Sequence, residues 1–344
     1  MSMNWKYVIG VGQTGSRLAN MYAKGDDILL TFNTDERDSG GAGLKTDHQI
    51  TTGGAGQNYS KGLKIWSMNK EKLEKYLEPI QNHRVVYFAA AGGGSGSSSI
   101  ITFLNILMEQ NNKILLVPIL PFIKESIPAT SNAARVLSRV SEFSNNLSVF
   151  AISNDEINKH IGNASYHSIN KEIVDRVETI TELPYLHNLN YMTPFAIDEN
   201  DHASVAYSGG FINLSHDSLD PDEEGRIKNP KFSYGKVQEA SNVLITKHVP
   251  TDYDDIKTEK EGDKLVQAAM KVGGSAKSAR VLYGVIRRNL STSEYTTIVT
   301  GLSIEKIFNK IKDKATDSAI RHNEKKKEKT SKMLERSEDK LLDV

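Results

Sequence analysis

The 344-residue chain contains no cysteine, which excludes disulfides, thiolate metal sites and cysteine nucleophiles and is compatible with a reducing compartment. No apolar stretch comes near the roughly 20 residues that a membrane-spanning helix needs. Met1–Tyr7 also lacks the apolar core of a signal peptide, so a soluble cytoplasmic protein is the expectation. Neither charge is in excess: Lys+Arg and Asp+Glu both number 43, so no global field is available to hold nucleic acid or an anionic membrane, and neither is expected as a direct partner. The nine histidines show no pair at metal-ligand helical spacing beside an acid, so no zinc site is expected. Also missing is the G-x-x-x-x-G-K-[ST] signature, and with it the lysine that neutralises a bound polyphosphate.

Glycine is what the chain does offer, in several clusters. Gly92-Gly93-Gly94-Ser95-Gly96-Ser97-Ser98-Ser99 follows the apolar run Val85–Ala89 and precedes the helix-length run Ile100–Glu109. In a strand, glycine loop, helix arrangement, backbone N–H groups converge on an anion with no Cβ in the way, hydroxyls add donors, and the positive end of the helix dipole points at the same spot. The alternative for this run is an ordinary flexible connection.

Apolar runs at Tyr7–Val11, Ile28–Phe32, Val85–Ala89, Ile114–Leu120 and Leu147–Ile152 alternate with helix-length segments at Ser16–Lys24, Lys61–Gln81, Ser97–Glu109 and Ala133–Ser144. This alternation predicts a parallel sheet covered on both faces, with ligands outside the carboxyl ends of the strands. Ile169, Ile173, Val177 and Ile180 recur at helical spacing and predict one long helix over Tyr166–Leu186. Beyond it, Phe211–Leu214, Ser241–His248, Ala279–Arg287 and Thr296–Leu302 read as strands and Asp263–Lys271 as a helix. Asp217–Pro230 and Pro250–Glu261 read as charged connections, and a charged helix or tail follows Ser303. The expected architecture is α/β: a Rossmann-like parallel-sheet nucleotide domain over 1–165, a central helix over 166–190, a smaller mixed α/β domain over 191–302, and a C-terminal helix with a polar tail over 303–344.

Two phosphate readings compete. Gly10-Val11-Gly12-Gln13-Thr14-Gly15 matches G-x-G-x-x-G between a strand and a helix, and Asp35 follows at the end of the second strand, as in a nicotinamide-dependent Rossmann oxidoreductase. Such an enzyme uses one glycine-rich turn, however, whereas this chain adds Gly53-Gly54-Ala55-Gly56 and Gly92–Gly96. Three loops fit a triphosphate better.

This combination resembles the tubulin/FtsZ superfamily, whose G-G-G-[TS]-G-[ST]-G loop is matched by Gly92-Gly93-Gly94-Ser95-Gly96-Ser97, with Ser98 in place of the last glycine. In motif order, Gly10, Gly12, Gln13 and Thr14 lie in the segment similar to the first loop, and Asn33-Thr34-Asp35 resembles the family's Asn-Thr-Asp. Gly54-Ala55-Gly56-Gln57-Asn58 resembles its γ-phosphate loop, while Pro121-Phe122 with Glu125 and Asn154-Asp155 resemble segments near the ribose and after the next strand. Asn170 falls where the family's central helix presents an asparagine to guanine. Ser16 and Arg17 depart from the glycine and asparagine of that pattern. Within the superfamily the chain looks most like the phage-encoded tubulins of the PhuZ group.

The resemblance implies GTP/GDP and Mg²⁺ as cofactors, Asp35 as the candidate metal residue, and GTP hydrolysis coupled to polymerisation into a longitudinal homopolymer. It further implies that Asp198 and Asp201 complete the site of the adjacent subunit, that Glu335–Val344 docks on a neighbouring protomer, and that the filament positions viral DNA in the bacterial host cytoplasm. A plasmid-segregation filament reaching DNA through an adaptor is the alternative within the superfamily. Read from the residues alone, Asp198 and Asp201 equally fit a solvated loop or helix cap, Asn170 an exposed helix face, Asn58 the end of a turn, and Asp35 a cap.

Overall fold

The computed structural model describes residues 6–35, 48–50, 53–122, 124–143, 147–162, 164–181, 197, 199–216, 240–250, 252–275, 279–288, 294–302, 309, 312, 313 and 316. The strands are β1 (Lys6–Val11), β2 (Ile28–Asn33), β3 (His48–Gln49), β4 (Arg84–Ala90), β5 (Lys113–Leu120), β6 (Leu147–Val149), β7 (Ile152–Ser153), β8 (Gly210–His216), β9 (Asn242–Pro250), β10 (Arg280–Arg288) and β11 (Glu294–Leu302). The helices are α1 (Gly12–Tyr22), α2 (Tyr59–Met68), α3 (Lys70–Leu77), α4 (Gly94–Glu109), α5 (Ile127–Val140), α6 (Asn154–Ile161), α7 (Tyr166–Thr181), α8 (Glu199–Ala206) and α9 (Asp255–Ser275). None of the helices among the described residues is long and apolar enough to cross a membrane.

All eleven strands belong to one sheet ordered β10-β9-β11-β8-β6-β5-β4-β1-β2-β3, with β7 paired to β5. From β3 to β8 every pairing is parallel, as the alternating apolar runs predict. Among the described strands only β11 runs against its neighbours, β8 and β9. Parallel strands buried on both faces need apolar residues at every position rather than at alternate ones. Accordingly Val8, Val86, Phe88, Leu115 and Val117 pack with Leu18 of α1 and Ile169, Ile173 and Val177 of α7 on one face. Their chain neighbours Ile9, Val85, Tyr87, Ile114 and Leu116 pack with Trp66, Phe103, Leu107 and Leu137 from α2, α4 and α5 on the other. Each fully buried aliphatic or aromatic side chain of this kind contributes about 1.5–3 kcal/mol.

Several boundaries differ from the sequence expectation. α1 begins at Gly12 rather than Ser16 and α4 at Gly94 rather than Ser97, so parts of both glycine loops are first helical turns. The single helix expected over Lys61–Gln81 breaks at Asn69, whose side chain donates to the Ile65 carbonyl at 2.8 Å. The strand expected over Leu147–Ile152 is two short pieces separated by Phe150 and Ala151. The connection expected over Pro250–Glu261 is helical from Asp255, where the Asp254 carboxylate accepts from the Lys257 N–H at 2.7 Å and caps α9. Of the central helix, Tyr166–Thr181 is described and 182–190 lies outside the described residues, as do Asp217–Pro230 and all of 317–344.

Candidate functional site

The strand order turns back between β1 and β4: β2 and β3 follow on one side, β5 and β6 on the other. At such a switch point the loops after neighbouring strands diverge to opposite faces and open a crevice at the carboxyl ends. α1 and α4, which leave β1 and β4, have no side-chain cap at their N-termini. By contrast, Asn58 caps α2 by accepting from the Lys61 N–H at 2.9 Å, and Ser126 caps α5. Helix starts without caps leave backbone donors open to an anion, with the dipole adding to the attraction.

The glycines set how closely the loops approach. Gly12 has φ of +72°, and a Cβ there would lie 3.3 Å from the Gly96 backbone nitrogen, so the turns after β1 and β4 touch. Gly54 has φ of +52°, and a Cβ there would lie 2.5 Å from Asp35 Oδ2, which places the third loop against the acid at the end of β2. Hydrogen bonds tie the three together. The Gly54 N–H donates to the Thr34 carbonyl at 2.8 Å and the Gly94 N–H to the Gly56 carbonyl at 2.7 Å. The hydroxyls of Thr34 and Ser95 meet directly.

Further supports come from residues that the sequence does not mark as site residues. Trp66, fully buried on α2, donates its indole N–H to the Ser95 carbonyl at 3.0 Å. Asn132 on α5 donates to the Gln57 carbonyl at 3.0 Å and to the Gly92 carbonyl at 3.1 Å, bridging two loops with one amide. Ser126 donates to Gln57 Oε1 at 2.5 Å. The serine hydroxyls of the longest loop turn inward: Ser97 bonds the Gly93 carbonyl, Ser98 that of Gly94, and Ser99 that of Gly96 while meeting Tyr87 Oη. Burial pushes the Tyr87 phenol far above its ordinary value, so it stays neutral and can donate to Ser99. The donors left to an anion here are therefore chiefly backbone amides.

The remaining sequence-predicted residues lie around this edge. Gly10 is the next-to-last residue of β1, Gln13 is exposed and Thr14 half-buried in the first turn of α1, and Ala55 is buried in the middle loop. Asn33 is 1% exposed; its Oδ1 accepts from the Thr34 N–H at 2.8 Å, while its Nδ2 is a buried donor with no partner. Glu125 follows β5 and accepts from the Phe122 N–H at 3.0 Å, and Asn154 opens α6 directly after β7. Both thus stand beyond carboxyl ends of the same sheet edge. Asn170 is half-buried on α7, which packs against α1 with Thr181 Oγ1 2.6 Å from Tyr22 Oη.

Asp201 lies elsewhere. It sits in the first turn of α8, and its Oδ1 accepts from Arg280 Nη2 at 2.7 Å. Arg280 is the first residue of β10 and pairs with Asn242, the first of β9. That edge crosses antiparallel β11, where Thr300 pairs with Asn242 and Leu302 with Phe211, and then continues by parallel register through Gly210 beside Ser148, Leu147 beside Ile114, Lys113 beside Arg84, and Arg84 beside Lys6. Asp201 is therefore at the amino-terminal edge and the glycine loops at the carboxyl-terminal one, separated by the length of the strands, roughly 20 Å for six residues. Asp198 lies outside the described residues.

Residues 7–162 match the family model described as Tubulin/FtsZ family, GTPase domain. No curated protein sequence matches the chain. Among solved structures it is similar to TubZ of Bacillus thuringiensis serovar israelensis in a GTPγS-form protofilament, with TM-score 0.77 and 17% identity, covering 96% of this chain and 94% of that one. It is also similar to a type III plasmid segregation TubZ, with TM-score 0.71 and 17% identity over 93% of each chain. An FtsZ dimer from M. jannaschii gives TM-score 0.62 and 19% identity, covering 87% of this chain and 89% of that one. The Rossmann-like strand order is common to the dinucleotide and triphosphate readings; the three convergent glycine loops and the similarity over residues 7–162 fit the triphosphate one. Over residues 7–162 the chain is similar to the GTPase domain of the tubulin/FtsZ family.

Proposed function

We propose that the chain is a filament-forming GTPase whose catalytic centre is completed across the subunit interface. The observation that carries this reading is the placement of Asp201 at the sheet edge opposite the glycine loops. A carboxylate roughly 20 Å from its own pocket cannot polarise a water there, but head-to-tail stacking brings one subunit's amino-terminal edge onto the next one's carboxyl-terminal edge. Backbone amides of Gly12, Gln13, Ala55, Gly93, Ser95 and Gly96 would hold the phosphates, with Asn33, Glu125, Asn154 and Asn170 toward the nucleoside. Asp201, with Asp198, would orient and deprotonate the attacking water.

No cluster of three or more metal-ligating side chains occurs among the described residues. Asp35, next in chain to Thr34, offers an oxygen ligand, which suits Mg²⁺ carried mainly by phosphate oxygens and water. When bound, that ion supplies charge neutralisation on the phosphates.

Neighbours of this fold are described as protofilaments and as a plasmid segregation protein, which supports self-assembly here and a role in moving DNA through an adaptor. The motif resemblance favours a phage origin, with the filament acting in the host cytoplasm. Cutting the chain after Arg321 should raise the critical concentration if the tail docks on a neighbour. The deciding experiment is GTP hydrolysis against protein concentration. A rate that climbs steeply above an assembly threshold supports the reading; equal turnover per molecule in dilute and concentrated samples overturns it.

A further inference from the structure

We infer that Arg280 is the positioning residue for Asp201, an inference that rests on the cross-subunit reading above. Arg280 Nη2 donates to Asp201 Oδ1 at 2.7 Å and its Nη1 to Ser204 Oγ at 3.4 Å, while Ser204 Oγ itself donates to the Asp201 carbonyl at 2.6 Å. One guanidinium thus grips the side chain at the start of α8 and the hydroxyl one turn further on. The grip is anchored in the sheet, because the Arg280 N–H donates to the Ser241 carbonyl at 3.0 Å and the Ser241 N–H to the Thr300 carbonyl at 2.9 Å.

Stability does not account for this arrangement. Side-chain exposures of 54% for Arg280 and 36% for Asp201 make it a surface ion pair, a class worth about 0–1 kcal/mol. The guanidinium also stands at the positive end of the α8 dipole, where a cation is disfavoured and the aspartate is already favoured without it. What the fork contributes is direction. A planar donor pair fixed to the sheet holds a short side chain to one rotamer, and holds the first turn of α8 at a set height on the edge that meets the next subunit. A carboxylate that must align a water in another molecule's pocket depends on such placement, since a displacement of about 1 Å costs up to a hundredfold in rate.

The test compares Arg280→Ala, Arg280→Lys, Asp201→Ala and the Asp201→Ala/Arg280→Ala double variant, reading the slope of GTP hydrolysis against protein concentration above the assembly threshold. Arg280→Ala should lower the slope roughly ten- to a hundredfold, with the threshold and the binding of a fluorescent GTP analogue unchanged. Arg280→Lys should recover part of the loss, since it keeps the charge and loses the fork. In the Asp201→Ala background, Arg280→Ala should change nothing further. A wild-type or raised slope for Arg280→Ala, an additive loss in the double variant, or a loss explained wholly by a higher threshold would overturn the inference. If Asp201→Ala itself keeps the wild-type slope, the cross-subunit reading fails. If Asp201→Ala is slow and Arg280→Ala is not, only the role of Arg280 falls.

Discussion

The indole N–H of Trp66 donates to the backbone carbonyl of Ser95 at 3.0 Å, which joins the hydrophobic core under α2 directly to the longest glycine loop. A ligand that shifts this loop must alter the environment of a fully buried indole. In a Trp5→Phe background, Trp66 emission should change in wavelength or intensity on adding GTP and stay unaltered on adding nucleotide-free buffer. Trp66→Phe should cost about 0.5–1.5 kcal/mol in chemical denaturation, because one hydrogen bond to the Ser95 carbonyl is lost while Ser98 Oγ still donates to it.

Gly54→Ala should weaken nucleotide binding while the fold persists. Alanine at φ of +52° is disfavoured by about 1–2 kcal/mol, and its Cβ would collide with Asp35 Oδ2 at 2.5 Å. A titration with a fluorescent GTP analogue reads the loss; unchanged affinity would show that the Gly54–Asp35 contact does not serve the nucleotide.

Mixing variants tests the split site. Asp201→Ala subunits keep an intact pocket, and Gly54→Ala subunits keep an intact carboxylate. Each alone should hydrolyse GTP slowly, and a co-assembled equal mixture should exceed the sum of the two. An Asp201 acting in its own pocket would give only the sum.

The Lys247–Glu261 pair should govern acid stability in the C-terminal strands. Lys247 is 3% exposed and also donates to Tyr295 Oη at 2.6 Å, while Glu261 meets both Lys247 and Lys264. Burial alone would raise the Glu261 carboxyl, but hydrogen bonds from Lys247 and Lys264, with their charges, outweigh it and hold the group below its ordinary 4.5. The stabilisation is therefore complete at neutral pH and is lost as pH falls below that value. Glu261→Gln should cost about 2–4 kcal/mol at pH 7 by stranding a buried ammonium, and should flatten the acid limb of a Tm against pH curve. An unchanged acid limb would exclude the pair as its cause.

Much of the fold was legible because burial on both faces writes itself into local composition. Ile114–Leu120 is apolar at nearly every position and is a strand from Lys113 to Leu120. Boundaries were less legible where chemistry and propensity disagree. Gly94 begins a helix even though glycine is a poor helix former, because packing onto the sheet overrides a propensity of about 1 kcal/mol, whereas Gly12 leads into its helix with φ of +72°, backbone that favours glycine. The charged run after Pro250 reads as a connection until Glu261 is paired with Lys247, although Asp254 carries a cap signal that marks the helix start.

By itself the sequence determined the α/β alternation, the three glycine loops and their order, since each depends on residues close together in the chain. Which side of the sheet each loop faces, and that Asn132, Gln57 and Trp66 brace them, were decided by strand order and packing, which join residues dozens of positions apart. The same holds for the distance between Asp201 and the pocket. Except for antiparallel β11, the strands run the same way and place their starts on one edge and their ends on the other, so Asp201 and the glycine loops lie on opposite edges of one sheet.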